Sequence, residues 1–402
     1  MVAERTLSEL IAGQEGWTLS GDPATPVRSI SSDSRRVEPG ALFVAIRGER
    51  SDGHAHIADA IANGAAAVAL ERFPPSAHLT GGGPLATLLV PDSRAALAEL
   101  SAAFYGHPSE RLALYGVTGT NGKTTVTHLV ESLFARSGDA TGLIGTIEHR
   151  YAGRREAAAN TTPESVDLQR LLAEMVEAGV RRAVMEVSSH ALALHRALAC
   201  NFRGAVFTNL SQDHLDFHGD MDAYYEAKER LFRSILPRSR REPFAAVNAD
   251  DPRAEGLVRA VPGHVRVLRF SLSKPVEVRA LESEAGLGGV RARIATPVGE
   301  VRLASPLGGL YNLSNLLAAA AVGAAEGMSP DAIRRGLEAV DRVPGRFERV
   351  GGGVIVDYAH TPDALDNLLR AARGLCSGRL IAVFGCGGDR DRGKRPLMGE
   401  AV

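Results

Sequence analysis

The segment that most constrains this chain is Gly116-Val-Thr-Gly-Thr-Asn-Gly-Lys-Thr-Thr125, which combines glycines with a lysine and threonines. Apolar residues at 112–117 predict a buried strand before it, and residues 126–135 predict a helix after it. In this strand–loop–helix context a glycine-rich loop binds phosphate, because its backbone N–H groups and the helix N-terminus face the anion. The alternative interpretation is a glycine-rich turn without a ligand.

The residue types in this loop predict ATP binding with magnesium and phosphoryl transfer. Lys123 is expected to neutralise the β- and γ-phosphates, and the Thr124 hydroxyl is expected to hold magnesium. Where the commonest phosphate loop has its first glycine, this chain has Val117. The residues expected to contact ATP are Gly119, Thr120, Asn121, Gly122, Lys123, Thr124 and Thr125.

Composition excludes several other classes of protein. The 402 residues carry 46 basic and 47 acidic side chains, so no global field favours nucleic acid or an anionic membrane. The first residues do not form a signal peptide, and the longest apolar run, 316–325, is too short to span a bilayer. The cysteines are far apart, which argues against disulfides and zinc and favours a cytoplasmic protein: Cys200, Cys376 and Cys386.

The order of predicted elements indicates the α/β class, with three domains at 1–105, 106–340 and 341–402. The first contains short strands near 27–30, 41–46 and 66–70 and a helix at 56–63. The second alternates strands and helices, as in a mostly parallel sheet with helices on both faces. It includes strands at 183–187, 205–208 and 245–247, a helix capped by Thr162 with Pro163 in its first turn, and antiparallel strands within 265–303.

The third domain is predicted to be incomplete. Residues 354–358 and 379–384 predict strands, and 362–373 predict a helix between them. A domain usually needs about 100 residues to close a core. The chain is therefore expected to stop within this domain.

Polar residues that follow two predicted strands are candidate magnesium ligands. Glu186 ends one strand, and the carboxyl ends of strands in open α/β sheets face the ligand crevice. The alternative is a polar strand end facing solvent. The next strand leads into Asn209-Leu-Ser-Gln-Asp-His-Leu-Asp-Phe-His-Gly219, where His214 is the better metal candidate and His218 is interpreted as structural.

Three further features leave alternatives open. Chemistry alone predicts that Lys228 is a solvated surface lysine or a cation facing substrate phosphate, since magnesium would repel its ammonium group. Asn312 and Asn315 either cap the helix that follows or read an adenine edge. The loop Cys386-Gly-Gly-Asp-Arg-Asp-Arg-Gly-Lys-Arg-Pro396 is either a surface turn or an anion-binding lip.

Taken together, these segments resemble the Mur ligases, the ATP-dependent amide-bond-forming enzymes of peptidoglycan precursor synthesis. The resemblance implies a small N-terminal α/β domain that binds UDP-MurNAc, a central ATP-binding domain and a Rossmann-like C-terminal domain. Besides the phosphate loop, it is carried by Asp33-Ser-Arg35, Pro39-Gly-Ala-Leu-Phe-Val-Ala45, Asn160-Thr-Thr-Pro163, Glu186-Val-Ser-Ser-His190, Asp213-His-Leu-Asp-Phe-His-Gly219, Asp357-Tyr-Ala-His-Thr-Pro-Asp363 and Gly385-Cys-Gly-Gly-Asp-Arg390.

The same resemblance implies residue roles. Thr124 and Glu186 would hold one magnesium ion, and His214 would assist with a second. Lys228 matches a lysine that is carbamylated, which would replace its cation by an anionic ligand. The positions implied to contact the nucleotide are Asn315, Arg346 and Asp357. Those implied to hold the UDP-linked substrate are Ser34, Thr161, Thr162, Ser188 and Arg196, and Arg390 would touch the incoming amino acid.

The implied reaction builds the cell wall and so supports cell shape and division. The D-glutamate side-chain carboxylate of UDP-MurNAc-L-Ala-D-Glu attacks the γ-phosphate, and the amine of a diamino acid then displaces phosphate from the acyl phosphate. The Arg- and Ala-rich composition favours meso-diaminopimelate over L-lysine, and the motif Asp-Asn-Pro-Arg that selects between them in the family does not occur here. The protein is expected to be a monomer.

Two alternatives compete with this interpretation. A folylpolyglutamate synthase-like ligase would share the central ATP fold, but Asp33-Ser-Arg35 and Glu186-Val-Ser-Ser-His190 count against it. A catalytically inactive nucleotide-binding fragment would bind ATP without forming an amide bond.

Overall fold

The computed structural model describes residues 4–48, 51–72, 80–81, 83–286, 288–374, 376–386 and 393–402. The chain separates into two compact units. The first consists of Met1–Arg111, Pro163–Glu177 and Ala193–Cys200, and the second of Leu112–Thr162, Ala178–Leu192 and Asn201–Val402. The first unit is thus assembled from three separate stretches of sequence.

The first unit is built on a five-stranded sheet with apolar side chains on both faces. Leu42 and Val44 enter one core cluster, whereas Phe43 and Ala45 enter another, as expected for a mostly parallel sheet covered on both sides. The strands of the first unit are β1 Arg5–Thr6, β2 Thr18–Ser20, β3 Pro26–Val27, β4 Ser29–Ser31, β5 Ala41–Val44, β6 Ala67–Leu70, β7 Thr80–Gly81, β8 Gly83–Pro84 and β9 Ala86–Leu89. Strands β1 and β3 pair with each other, as do β7 and β8, and the other five form the five-stranded sheet. The sheet order is β2-β9-β6-β5-β4, with only β2 antiparallel to its neighbour. The helices of this N-terminal stretch are α1 Leu7–Leu10, α2 Ile57–Ala62 and α3 Ser93–Phe104.

The second unit is built on an eleven-stranded sheet. Its strands are β10 Ala113–Thr118, β11 Thr141–Ile144, β12 Glu148–Tyr151, β13 Arg154–Ala157, β14 Arg182–Glu186, β15 Phe202–Phe207, β16 Phe244–Asn248, β17 Arg266–Ser271, β18 Val278–Gly286, β19 Gly289–Thr296 and β20 Gly299–Ser305. The order is β13-β12-β11-β14-β10-β15-β16-β17-β18-β19-β20. Neighbouring strands in the run β11-β14-β10-β15-β16-β17-β18 are parallel to each other. The antiparallel strands β12 and β13 flank this run on one side, and β19 and β20 flank it on the other.

The remaining elements complete the two units. A separate hairpin pairs β21 Glu348–Gly351 with β22 Val354–Val356. The helices after the phosphate loop are α4 Lys123–Arg136, α5 Ser165–Glu177, α6 Ser189–Ala193, α7 Leu215–His218, α8 Met221–Arg230, α9 Ala254–Ala260, α10 Leu310–Ala325, α11 Pro330–Glu338, α12 Pro362–Arg373 and α13 Lys394–Glu400. Helix α5 belongs to the first unit. Helices α4, α10 and α11 bury their apolar faces in the main core of the second unit.

The predicted α/β class and the mostly parallel central sheet are confirmed. The strand predicted at 379–384 is wrong, because Ile381 and Val383 are 67% and 96% exposed and no described residue pairs with this segment. A strand needs a neighbour to accept and donate its backbone hydrogen bonds, and hydrophobicity alone does not provide one. The three-way division at residues 105 and 340 stays a prediction.

The predicted start of α5 is also wrong. The helix begins at Ser165, and Thr162 does not cap it. Instead the Thr162 hydroxyl donates to the carbonyl of Glu186 (2.9 Å) and accepts from the backbone N–H of Ser188 (3.1 Å). Tertiary hydrogen bonds to the end of β14 thus outweigh the local capping preference. Among the helices of the described ranges, none is long and apolar enough to cross a membrane.

The amino ends of the parallel strands are joined by a buried ion-pair network. Glu326, at the end of α10, accepts from Arg182 (2.8 Å) at the start of β14 and from Arg203 (2.9 Å) in β15. The Glu326 side chain is only 8% exposed, and the Arg182 guanidinium also lies 4.5 Å over the ring of Phe134. This network fixes α10 against the sheet.

We therefore predict that Glu326→Ala lowers the free energy of unfolding by about 3 kcal/mol, since it removes the buried carboxylate that pairs with Arg203 and leaves Arg182 with Asp139 (2.7 Å) as its acidic partner. The measurement is the shift of the thermal and urea unfolding midpoints. The matched control is Asp366→Ala, which removes an exposed pair with Arg370 and should change stability by less than about 1 kcal/mol. Equal effects of the two substitutions would contradict a stabilising role for the network.

Candidate functional site

The phosphate loop lies between β10 and α4, at the carboxyl edge of the parallel sheet. Gly119 and Gly122 both have positive φ, at 146° and 86°. A Cβ atom on Gly119 would lie 1.9 Å from the Thr208 hydroxyl oxygen, and one on Gly122 would lie 2.4 Å from the Asn315 side-chain oxygen. Glycine is required at both positions by backbone conformation and by space.

The segment that follows β15 holds this loop in place. The backbone N–H groups of Thr120 and Asn121 donate to the carbonyl and the side-chain oxygen of Asn209, both at 2.9 Å. The Thr208 hydroxyl donates to the Asn121 carbonyl at 2.6 Å. These hydrogen bonds link the segments that follow the neighbouring strands β10 and β15 and fix the position of the loop.

Lys123 folds back over the loop. Its ammonium group donates to the carbonyls of Gly119 (2.9 Å) and Thr120 (2.8 Å). Desolvation lowers its pKa, and Arg346 acts in the same direction, whereas Glu186 acts against it. Within the described ranges the hydrogen bonds of this ammonium group go to carbonyls, so the group is available to an incoming phosphate.

Glu186 is buried at the end of β14, with an exposure of 1%. It accepts from the Thr124 hydroxyl (3.0 Å), the Thr146 backbone N–H (2.8 Å) and the Thr146 hydroxyl (3.1 Å). Thr124 and Glu186, which are predicted to hold one magnesium ion, thus lie next to each other in the structure. The interpretation of Glu186 as a solvent-facing strand end is wrong, because its carboxylate has exchanged water for three protein donors.

Lys228 is not a solvated surface lysine, and that prediction from chemistry alone is wrong. Its side chain is 1% exposed on the inner face of α8, and its ammonium group donates to the Gly119 carbonyl at 2.9 Å. It also lies 4.3 Å over the ring of Tyr224. Desolvation and the nearby Lys123 hold its pKa well below the ordinary range of a lysine, and Asp213 only partly opposes them.

His214 lies in a cluster of rings. It has a φ of 54° and stacks edge-on against His190 at 4.7 Å, and its Nε2 lies 3.3 Å from the buried carboxylate of Asp213. Desolvation, His190 and the two lysines lower its pKa to about 3, although Asp213 opposes this. His214 is therefore neutral near pH 7, and a neutral imidazole can serve as a metal ligand. His218, interpreted as structural, contacts the Ser189 hydroxyl at 3.0 Å.

The three predicted nucleotide contacts surround the same cavity. Asn315 is buried and donates to the Asn312 side chain at 3.0 Å. Helix α10 is capped by Gly309 without a side-chain bond, so the capping interpretation of both asparagines is wrong. Arg346 donates to the Thr124 hydroxyl at 3.1 Å, and Asp357 accepts two backbone N–H groups.

A cavity of about 1020 Å³ brings these groups together within the second unit. It is large enough for a nucleotide and further substrate groups. Lys228 and Gly119 lie behind its wall rather than on it. The predicted site residues that line it are Thr120, Asn121, Gly122, Lys123, Thr124, Thr125, Thr161, Glu186, Ser188, His214, Asn315, Arg346 and Asp357.

The predicted substrate-binding residues are distributed unevenly. Thr161 and Ser188 line the cavity, and Thr162 is buried next to Ser188. Ser34 and Arg196 belong to the first unit, where Arg196 forms an ion pair with Glu164. Arg390, with most of the loop that begins at Cys386, lies outside the described residues.

Sequence reasoning missed two residues that shape the site. Thr146 supplies two hydrogen bonds to Glu186, and Asn209 holds the phosphate loop. Both lie just after the carboxyl end of a buried parallel strand. This position in the sequence could have identified them.

Magnesium fits the donors present. The Glu186 carboxylate and the Thr124 hydroxyl are both hard oxygen ligands and lie within hydrogen-bond distance of each other. Within the described ranges no group of three or more His, Cys, Asp or Glu side chains could hold a metal ion. A small protein ligand set is typical of magnesium, which usually keeps water and substrate phosphate in its coordination sphere.

Comparison with known proteins identifies relatives over most of the chain. Residues 26–105 match the Mur ligase family catalytic domain, 117–323 the Mur ligase middle domain, and 345–402 the Mur ligase glutamate ligase domain. A UDP-N-acetylmuramoyl-L-alanyl-D-glutamate–2,6-diaminopimelate ligase of Geobacter metallireducens is 47% identical over 94% of this chain and 74% of its own length. A ligase of the same name from Gloeobacter violaceus is 46% identical over 98% and 79%.

Solved structures similar to this chain include ligases of the same family. A UDP-N-acetylmuramoyl-L-alanyl-D-glutamate–2,6-diaminopimelate ligase superposes with a TM-score of 0.78 at 30% identity, covering 99% of this chain and 80% of that one. MurF from Acinetobacter baumannii follows with a TM-score of 0.65 at 25% identity over 92% and 77%. A Mycobacterium tuberculosis folylpolyglutamate synthase reaches 0.56 at 22% identity over 69% and 70%, which shows a shared fold alone.

We predict that Lys123→Ala lowers ATP turnover by about a thousandfold, because the variant lacks the cation expected to neutralise transferred charge. Steady-state ADP release would measure this loss. Lys228 touches the same carbonyl but lies behind the cavity wall, so it does not substitute for Lys123. The control is Lys274→Ala, whose ammonium group contacts the Ala249 carbonyl outside the cavity. Near-normal turnover in Lys123→Ala would contradict the phosphate-loop assignment.

Proposed function

The chain belongs to the Mur ligase family, and we propose that it joins a diamino acid to UDP-N-acetylmuramoyl-L-alanyl-D-glutamate with ATP as energy source. Its curated relatives at 43–47% identity carry the name of a ligase for this substrate and 2,6-diaminopimelate. Such ligases form amide bonds and use ATP with magnesium. We also propose that it acts in the cytoplasm, where ATP is supplied.

The main support for this proposal is that residues at the carboxyl ends of three strands line one cavity. Lys123 and Thr124 come from the loop after β10, Glu186 ends β14, and His214 follows β15. Lys123 brings a cation to phosphate, whereas Thr124, Glu186 and His214 bring a hydroxyl, a carboxylate and a neutral imidazole that can bind magnesium. This set of groups suits phosphoryl transfer to a carboxylate.

The proposed reaction has two steps. The D-glutamate side-chain carboxylate attacks the γ-phosphorus of ATP, and the bond to the bridging oxygen breaks to release ADP. The amine of the diamino acid then attacks the carbonyl carbon of the acyl phosphate, and phosphate leaves. Lys123 and Arg346 lie where they can neutralise charge on the transferred group, so catalysis rests on positioning and electrostatics.

We propose that Thr124 and Glu186 hold one magnesium ion and that His214 and a modified Lys228 hold a second. When bound, magnesium supplies positive charge that stabilises the transferred phosphoryl group. Thr146 orients the Glu186 carboxylate through two hydrogen bonds. Asn315, Arg346 and Asp357 are proposed to contact the nucleotide.

The burial of Lys228 supports its carbamylation. Its lowered pKa favours the neutral amine, which is the form that reacts with carbon dioxide. In that reaction the amine nitrogen bonds to the carbon of CO₂ and loses a proton, so that an anionic carbamate replaces the ammonium group. An anion there would relieve repulsion with Lys123 and could serve as an oxygen ligand to magnesium.

The function is tested by a competition ligation read by mass spectrometry. The chain is mixed with the UDP-linked dipeptide, ATP, magnesium and equal amounts of meso-diaminopimelate and L-lysine, with Lys123→Ala as the blank. We expect a tripeptide carrying diaminopimelate, in line with the names of the relatives. A lysine product would contradict the proposed amino acid, and no product with ATP bound would contradict the ligase.

We predict that Lys228→Ala lowers ligation by about a hundredfold, because it removes the proposed carbamate ligand of the second magnesium ion. Acetate or another short carboxylate should partly restore the rate by occupying the space of the carbamate. The measurement is ligation rate against acetate concentration. Lys228→Met, which keeps the volume but leaves little room for acetate, is the matched control. Undiminished ligation in Lys228→Ala would contradict the carbamate.

A further inference from the structure

The second step of the proposed reaction requires a base near the cavity. An amino group at neutral pH is mostly an ammonium ion, and it must lose a proton before its nitrogen can attack a carbonyl. The metal ligands and the phosphate-binding lysine cannot accept that proton without giving up their own roles. A different side chain on the cavity wall is needed.

Most acidic side chains on the cavity wall already accept hydrogen bonds from other protein groups. Glu186 accepts three hydrogen bonds. Asp357 accepts the backbone N–H groups of Phe347 (2.7 Å) and Ala359 (2.8 Å). Asp363 accepts from the side chains of Asn121 (2.9 Å) and Asn367 (3.2 Å). These hydrogen bonds occupy the carboxylate oxygens that would have to accept the proton of the amine. Burial raises the pKa of Asp357, but each of its two oxygens already accepts a backbone N–H.

Of the two histidines on the wall, His214 is the weaker candidate. Its pKa is lowered to about 3 by desolvation, His190 and the two lysines. A base that weak takes a proton from an ammonium ion only at a large free-energy cost. His214 is also a proposed metal ligand, and its lone pair would then be engaged.

His360 has the geometry of a base. Its Nδ1 lies 2.9 Å from the Tyr358 carbonyl oxygen, and because a carbonyl can only accept, Nδ1 must carry the hydrogen. In the neutral ring the lone pair is therefore on Nε2. The side chain lines the cavity and remains 51% exposed, so it can receive a proton from a ligand and pass it to water.

A buried carboxylate supports the charged form of His360. Its Nε2 faces the Asp213 carboxylate oxygen at 3.8 Å, and the Asp213 side chain is only 4% exposed. An imidazolium formed at this position would be stabilised by the anion next to it, as in other paired catalytic groups.

We propose that His360 is the general base that takes a proton from the attacking amine in the amide-forming step. One ammonium proton passes to Nε2, and the nitrogen lone pair forms the C–N bond. The bond from the carbonyl carbon to the phosphate oxygen breaks, and its electron pair leaves with phosphate. A second proton from nitrogen departs on hydrogen phosphate, and the third remains on the amide. This inference rests on the proposed ligase function.

The test compares two nucleophiles in the full chain. Hydroxylamine is largely unprotonated at neutral pH and traps an acyl phosphate as a hydroxamate without needing a base. The variant His360→Asn keeps an N–H donor near the position of Nδ1 but lacks the basic Nε2. The matched control is His264→Gln, since His264 also contacts a backbone carbonyl, that of Pro237, but does not line the cavity.

We expect His360→Asn to lower ligation of the diamino acid by about a hundredfold and to leave hydroxamate formation within about twofold of wild type. Free imidazole should partly restore ligation in His360→Ala. Unchanged ligation, or an equal loss with both nucleophiles, would overturn the role of His360 while leaving the ligase function intact. An absence of ATP-dependent hydroxamate in the wild-type chain would overturn the proposed function and this inference together.

Discussion

The carbonyl oxygen of Gly119 accepts hydrogen bonds from two lysines, Lys123 and Lys228, and the site depends on this arrangement. A single carbonyl cannot balance two positive charges, and burial has removed most of the water that could. Desolvation is the largest cause that lowers the pKa of both lysines, and Lys123 adds to it at Lys228. Phosphate bound by the loop would relieve this repulsion from one side, and a carbamate on Lys228 would relieve it from the other. The same arrangement thus favours both the binding of a polyanion and the proposed modification.

The parallel sheet makes this arrangement possible. Strands β14, β10 and β15 are neighbours, so the residues that follow them meet at one edge. Hydrogen bonds from Thr208 and Asn209 then fix the phosphate loop, and Thr146 fixes Glu186. At the opposite edge Glu326 joins helix α10 to the same strands. Rigid packing at one end of the sheet therefore supports precise placement at the other.

Local sequence patterns predicted the central strands, the phosphate loop and helix α12, because each is encoded by apolar runs and by glycine or proline at its ends. Burial of Lys228 could not be predicted in this way. Lysine is rarely buried, and only the packing of α8 against the loop after β10 places its amine beside Gly119. The strand prediction at 379–384 was wrong for a related reason. An apolar pattern does not reveal whether a neighbouring strand is present to pair with the segment.

The central claim is that this cavity activates a carboxylate by phosphoryl transfer, and isotope transfer tests it most directly. The D-glutamate side-chain carboxylate of the UDP-linked dipeptide would be labelled with ¹⁸O, and the phosphate released during ligation would be analysed by mass spectrometry. Activation as an acyl phosphate predicts one ¹⁸O atom in each phosphate, because the oxygen that attacks phosphorus leaves with it. Amide formation that releases unlabelled phosphate would contradict the account.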